Sequence, residues 1–160
     1  MLARYNRWAN AKLYGMAAAL PDDAYRRNVG AYFGSLHGTL NHLLVADRIW
    51  MRRLTGTGEH PNKLNAILFD DLKSLRSARE LEDERIAQAI GAFDETAFRR
   101  NWDYQTLNGT AQSQPLEEIL THLFNHQAHH RGQAHTILTM LGVVEPEPWD
   151  LLIMLRAERG

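Results

Sequence analysis

The stretch LEEILTHLFNHQAHHRGQAHTILTML, residues Leu116–Leu141, carries its apolar side chains at helical spacing. At about 100° per residue, one face of a helix collects Leu116, Ile119, Leu120, Leu123, Ala134, Ile137, Leu138 and Leu141. Pro115 suits the first position of such a helix, and Gly142 suits the position just after its end. The stretch therefore predicts a long amphipathic helix from Pro115 to Leu141.

Three more amphipathic helices are predicted before this one. They are expected at Leu2–Leu20, from Ser35 to the loop Gly56–Pro61, and from the Asp70-Asp71 pair to about Gly91. Proline at position 21 ends the first of them because it has no backbone N–H. The aspartate pair suits the start of the third because its carboxylates accept hydrogen bonds from free backbone N–H groups.

The segment before the fourth predicted helix has a different pattern. From Asn101 to Gln114 aromatic and threonine side chains alternate with polar ones, and Asn108-Gly109 is a two-residue hairpin signal. A short turn is expected at Phe93–Phe98, and a short helix is expected at Trp149–Arg159. The predicted fold is a single all-α domain over residues 1–160. It is a four-helix bundle with a small hairpin or an ordered loop before the fourth helix, and with a short C-terminal helix.

The composition excludes several classes of protein. The chain has 160 residues and no cysteine, so disulfides, thiolate zinc sites and cysteine nucleophiles are excluded. Its 18 Lys+Arg nearly balance its 19 Asp+Glu, so no general attraction to nucleic acid or anionic lipid is predicted. No apolar run reaches the roughly 18 residues of a membrane span, and Met1–Asn10 lacks the apolar core of a targeting peptide. A cytoplasmic location is expected.

The chain has eight histidines, and the fourth predicted helix carries His122, His126, His129, His130 and His135. Only His126 and His130 project towards the apolar face, and they are one helical turn apart. Two imidazoles in this arrangement can bind the same metal ion. The alternative is a pair of core histidines that hydrogen-bond to neighbouring polar groups.

A third imidazole is expected from the second predicted helix. There His37 shares a polar arc with Asn41 and Arg48 and is expected to be solvated, whereas His42 flanks the apolar face. Three neutral imidazoles would leave coordination positions for water or substrate, as in catalytic rather than structural metal sites.

Two other kinds of metal site are excluded. In the HExxH motif of metalloproteases a glutamate follows the first histidine, but Gln127 follows His126 here. Di-iron bundles need Glu-x-x-His pairs, and the chain has none. A mononuclear site is therefore predicted.

Four stretches of the chain carry a resemblance to a known family. SLHGTLNHLLVADRIW (Ser35–Trp50) and HQAHHRGQ (His126–Gln133), together with YNRWAN (Tyr5–Asn10) and Trp149-Asp150, resemble the DinB family of damage-inducible metal-binding proteins. The resemblance covers essentially the whole chain. It implies a four-helix bundle, often a homodimer, in which three histidines hold a divalent ion such as zinc or nickel. The family triad maps onto His42, His126 and His130.

The wider DinB/YfiT-like superfamily includes mycothiol-dependent maleylpyruvate isomerase and bacillithiol transferases. The resemblance therefore implies a metal-dependent S-transferase that uses a low-molecular-weight thiol against small electrophiles in stress or detoxification. The nucleophilic sulfur would come from the cofactor, which is consistent with a chain that lacks cysteine. The alternative is a non-enzymatic stress-response bundle whose metal is structural.

Three further side chains are expected near the site. Asp47 is expected to be buried, where it orients a metal-ligating histidine or pairs with an arginine of another helix. Trp50 is expected in the core or as a wall of a pocket above the metal. Gln133 is expected to line the pocket or to form a hydrogen bond to another helix.

The remaining candidates carry weaker expectations. His122 and His129 are expected at the surface, with a place beside the metal as the alternative. Arg131 is expected at a contact between helices or at a dimer interface, and Gly132 is expected where another helix or a loop approaches closely. His60 and His135 receive no role.

Overall fold

The computed structural model describes all 160 residues of the chain. It contains six α-helices: α1 Leu2–Ala18, α2 Asp22–Arg26, α3 Leu36–Thr55, α4 Leu72–Gly91, α5 Leu116–Met140 and α6 Leu151–Ala157. Two antiparallel strands, β1 Asn101–Gln105 and β2 Ala111–Pro115, precede α5, and a 3-10 turn at Ala97–Arg99 precedes β1. No helix combines the length and the apolarity that crossing a membrane requires.

The four long helices form a bundle. Helix α1 packs against α4 and α5, and α3 packs against the same two helices, so every long helix has two long neighbours. Their apolar faces meet in two clusters. One cluster lies around Leu13, Leu40 and Leu138, and the other lies around Met51, Ile86 and Leu123. The expected four-helix arrangement is therefore present.

The bounds of α3 follow from local chemistry. At its start the Ser35 hydroxyl accepts a hydrogen bond of 3.1 Å from the Gly38 N–H, which satisfies one of the free donors of the first turn. At its end Gly56 adopts a φ of 71°, a conformation that glycine reaches without strain. These two residues define the ends of α3, so that His42 lies about two turns after the start of the helix.

The two strands form the small hairpin that was expected before the fourth helix, so the chain is mostly helical but not strictly all-α. The Asn108-Gly109 pair lies in a connection that spans Thr106–Thr110, so it does not make the expected two-residue turn. Gly109 has a φ of 84°, which explains the glycine. Pro115 is the last residue of β2 and the N-cap of α5. It was expected as the first residue of the helix, which instead begins at Leu116.

Helix α2 is the one element that was not predicted. It contains five residues, which is too short for an apolar period to be recognised in the sequence. Its Tyr25 is buried and packs against the ring of His37 with 5.2 Å between ring centroids. The segment that follows α2 leads the chain to the N-terminus of α3, where the candidate site begins.

Candidate metal centre

Three histidines from two helices meet at one point. His42 of α3 and His126 and His130 of α5 each offer one ring nitrogen, and these nitrogens all lie within 4.8 Å of one another. His42 Nε2 is 3.2 Å from His126 Nε2 and 3.2 Å from His130 Nε2. His126 and His130 are four residues apart, so one helical turn brings both rings to the side that faces α3. The three nitrogens can hold one metal ion.

Hydrogen bonds to the other ring nitrogens determine what the Nε2 atoms can do. His42 Nδ1 lies 2.7 Å from the backbone oxygen of Leu64, and a carbonyl can only accept, so Nδ1 carries the hydrogen. His130 Nδ1 lies 2.7 Å from Gln133 Oε1, which defines the same tautomer for His130. Both Nε2 atoms therefore present lone pairs to each other across 3.2 Å. Two facing lone pairs repel unless a cation lies between them, so the donor set fits a metal ion.

The environment keeps the three rings neutral. Burial lowers the pKa of His42 to about 4, although its bond to Leu64 acts in the opposite direction. Burial, together with the neighbouring histidines, lowers the pKa of His126 to about 3, and burial also lowers the pKa of His130. Because a metal binds the deprotonated imidazole, no proton has to be displaced from these rings near pH 7.

Phe33 covers one side of the triad. Its ring stacks on His42 with 3.9 Å between centroids and 18° between planes, and its edge meets His130 at 5.5 Å. Gly38 makes this possible, since a Cβ at position 38 would lie 2.1 Å from the backbone oxygen of Phe33. A glycine one turn before His42 therefore allows the Phe33 loop to lie directly on α3.

The triad opens into a cavity of about 640 Å³, and Phe33 forms part of its wall. Its lining comprises Tyr32, Phe33, Gly38, His42, Leu64, Asn65, Ile67, His126 and His130. Apart from the three histidines, none of these residues supplies a side chain that commonly binds metal ions. Coordination positions that face the cavity are therefore accessible to water or to a small molecule.

Behind the triad lies a buried network of polar side chains. Asp47 forms an ion pair of 2.7 Å with Arg79 of α4, and Arg79 lies 3.1 Å from Asp83. Burial raises the pKa of Asp47 to about 6, against the lowering effect of the Arg79 charge. Asp47 thus pairs with an arginine, and its side chain contacts Arg79 and Gln127 rather than a histidine. The network connects α3 to α4, and none of its residues lines the cavity.

The same network extends to α1. Asn6 and Asn10 both donate to Asp83, at 3.1 Å and 3.0 Å, and both accept from Arg131. Arg131 is fully buried and belongs to α5, so the expectation of a contact between helices is confirmed.

Two expected neighbours of the site take different positions. Trp50 does not stand above the triad, because it packs against Tyr104 and His122 and lines a separate cavity of about 290 Å³. Gln133 does not bond to another helix, because its side chain bridges His130 Nδ1 and His129 Nε2 within α5. Gln133 therefore orients one of the three histidines.

The other histidines are sorted by burial and contact. His37 was expected to be solvated, but it is buried, and its Nε2 lies 3.1 Å from the backbone oxygen of Phe69. The polar arc of α3 faces the loop before α4 instead of solvent, and Asn41 accepts hydrogen bonds from that loop. His122 and His129 are exposed, although their rings lie 5.9 Å from His126 and 4.8 Å from His130.

The expectation for Gly132 is also wrong. A Cβ at this position would meet nothing within 4 Å, and the residue is exposed. The close approach in this structure occurs at Gly38, which the sequence reasoning did not single out. Phe33, Leu64 and Ile67 were missed as well, because loop residues far apart in sequence give no periodic signal of a shared cavity. Gly38 was the one available signal of this cavity, because a glycine inside a helix indicates the close approach of another segment. It directly follows His37 and lies one turn before His42.

Comparison with known proteins identifies relatives of this chain. A sequence model described as the DinB family matches residues 1–158. Protein DinB of Bacillus subtilis (strain 168) is 26% identical over 169 residues, which cover 99% of this chain and 96% of that protein.

A solved structure has the same fold. The crystal structure of a DinB-like protein from Bacillus cereus ATCC 10987, at 2.01 Å resolution, matches with a TM-score of 0.62 and 19% identity. The match covers 84% of this chain and 86% of that one.

Proposed function

The chain belongs to the DinB family, and we propose that His42, His126 and His130 hold one divalent metal ion that serves a thiol-dependent transfer reaction. The observation that carries the proposal is the pair of Nε2 lone pairs of His42 and His130, which face each other across 3.2 Å beside an open cavity. Three imidazoles suit zinc, nickel, copper and iron, and the family resemblance favours zinc or nickel among them.

The chain contributes orientation and access to this chemistry. The carbonyl of Leu64 and the amide of Gln133 each hold an imidazole with its Nε2 towards the same point. Phe33 stacks on one face of His42 and also lines the 640 Å³ cavity, which leaves the triad accessible. A divalent ion bound there would lower the pKa of a thiol that reaches it, so that the sulfur would lose its proton to solvent. The thiolate could then displace a leaving group from an electrophilic carbon, with a sulfur–carbon bond formed as the bond from that carbon to the leaving group breaks.

Metal content is the first measurement that tests the proposal. Wild-type protein, His126→Ala and His122→Ala would be loaded with zinc or nickel, desalted, and analysed for metal per chain. We expect about one ion per chain in the wild type and in His122→Ala, and little in His126→Ala. His122 lies on the same helix one turn away and is the matched control. A wild type that retains no ion would contradict the proposal.

Turnover is the second measurement. Metal-loaded protein would be mixed with mycothiol, bacillithiol or glutathione and an electrophile, and loss of free thiol would be followed against His126→Ala. Consumption of a thiol that depends on the metal supports the transferase.

A tightly bound ion without thiol turnover would favour the second candidate function, a bundle whose metal only joins α3 to α5. The position of the triad between these two helices is the observation behind that candidate. A role in stress response or detoxification and a homodimer stay predictions of the family resemblance, and a cytoplasmic location stays a prediction from the sequence.

A further inference from the structure

The cavity beside the triad has no charged side chain in its lining. Its nine residues include no aspartate, glutamate, lysine or arginine. The chain as a whole is 23% charged, so an uncharged lining around an open cavity sets this surface apart. Beyond the three histidines, Asn65 offers the one polar side chain of the lining besides the hydroxyl of Tyr32.

The mouth of the cavity exposes large apolar side chains. Tyr32 is 88% exposed, Leu64 is 51% exposed and Ile67 is 48% exposed. Tyr32 and Phe33 meet edge to face at 4.9 Å, so an aromatic wall continues from the mouth to the ring of His42. Leaving these three side chains in water is unfavourable, and a bound molecule that covers them would recover that free energy.

From these two observations we infer that the part of the bound thiol beyond its sulfur is uncharged, and that it is apolar where it meets Tyr32, Leu64 and Ile67. The inference rests on the proposed function, because it takes the metal-binding end of the molecule to be a thiol at the triad. It concerns the part of the molecule that lies further out. A carboxylate there would lose water and gain no cationic partner from the residues that line the cavity.

A pair of thiol probes that differ in one group separates these cases. Benzyl mercaptan is neutral and apolar, and 4-(mercaptomethyl)benzoate is the same molecule with a carboxylate opposite the thiol. The ring is rigid, so the carboxylate cannot reach the ion that its own sulfur contacts. Cobalt-substituted protein would be titrated with each probe, and the sulfur-to-cobalt absorption band would report binding without any requirement for turnover.

We expect the wild type to bind benzyl mercaptan about tenfold more tightly than the carboxylate probe. Ile67→Lys places a cation at the mouth, so the preference should shrink by about fivefold or reverse. Ile153→Lys is the matched control, because Ile153 is a partly exposed isoleucine of α6 outside the lining, and its preference should equal that of the wild type.

Equal or tighter binding of the carboxylate probe by the wild type would overturn the inference, as would an Ile67→Lys protein with an unchanged preference. Metal analysis of the same samples distinguishes a failure of the proposed metal site from a failure of the inferred preference for an uncharged ligand. Wild type that holds no cobalt overturns the proposed function and this inference together. Stoichiometric cobalt with no preference for the neutral probe overturns this inference alone.

Discussion

The side-chain amide of Gln127 donates a hydrogen bond of 3.1 Å to the backbone oxygen of Leu43. Each of these residues directly follows a histidine of the triad, since Gln127 follows His126 and Leu43 follows His42. The same amide donates to Asp47 Oδ1 at 2.6 Å. Gln127 therefore fixes the position of α5 along α3, and with it the distance between His126 and His42.

Replacing Gln127 by leucine tests this relationship. Gln127→Leu removes the amide nitrogen that makes both hydrogen bonds, and it leaves the Leu43 oxygen and Asp47 Oδ1 buried without that partner. We therefore expect a loss of about 2–4 kcal/mol in the free energy of unfolding. Urea unfolding of the metal-free protein measures it. Gln88→Leu, at an exposed position of α4, is the control and should change stability by less than about 0.5 kcal/mol. A Gln127→Leu protein as stable as the wild type would show that the amide does not hold the helices together.

Two glycines inside helices give opposite predictions. An alanine Cβ at Gly38 would collide with the backbone oxygen of Phe33, so Gly38→Ala should cost about 1–3 kcal/mol and displace Phe33 from His42. At Gly132 there is open space, so Gly132→Ala should stabilise α5 by up to about 1 kcal/mol. Thermal unfolding of the two variants checks both signs. A Gly38→Ala protein that unfolds at or above the wild-type temperature would refute the assignment of the close contact to Gly38, and a Gly132→Ala protein that unfolds below it would refute the open space at Gly132.

The helices and the triad were predictable from the sequence because both depend on angular position around a helix axis. Apolar spacing on α5 defined the face that turns inwards, and His126 and His130 lie next to that face. The same reasoning separated His42 from His37 on α3. The polar arc of α3 that includes His37 and Asn41 was expected in solvent, but the loop before α4 covers it. The angular positions of residues on one helix do not show which loop packs over that helix. His37 is buried for that reason.

The cavity was not predictable in the same way. Phe33, Leu64 and Ile67 belong to irregular segments, and their contact with the triad depends on how the chain crosses from α2 to α3 and from α3 to α4. Trp50 was expected either in the core or as a wall of the cavity, and the structure supports the core alternative. It lies two turns from His42, which carries it past the cavity to the level of the sheet, where it meets Tyr104 and packs against the cluster around Met51, Ile86 and Leu123.

Arg79 provides a prediction about the buried network. Arg79→Met leaves Asp47 and Asp83 in the interior without their shared cation, so we expect a loss of about 3–5 kcal/mol in the free energy of unfolding. Arg76→Met is a matched control on the same helix, because Arg76 is exposed and pairs with Glu80 at the surface, where removal should cost at most about 1 kcal/mol. Similar urea midpoints for the two variants would contradict a structural role for the buried pair.

Acid should destabilise the metal-free protein through the triad. An unfolded histidine has a pKa near 6.5, whereas burial lowers the pKa of His42 to about 4 and that of His126 to about 3. Between about pH 4 and pH 6.5 the unfolded chain therefore binds more protons than the folded one, and the free energy of unfolding falls as the pH falls. Asp47 acts in the opposite direction, because its raised pKa of about 6 makes the folded chain the better proton acceptor between pH 4 and 6.

A double variant isolates the contribution of the histidines. Chelator-treated wild type and His42→Gln/His126→Gln would be unfolded by urea at a series of pH values from 4.5 to 7.5. Both proteins keep Asp47, so its contribution cancels in the difference between them. We expect the wild type to lose more stability than the double variant as the pH falls through 6.5, because only the wild type has to keep two neutral imidazoles buried while the unfolded chain protonates them. Parallel curves for the two proteins would mean that the rings are protonated in the folded state. The facing Nε2 lone pairs of His42 and His130 would then be bridged by a proton, and the requirement for a metal cation between them would disappear.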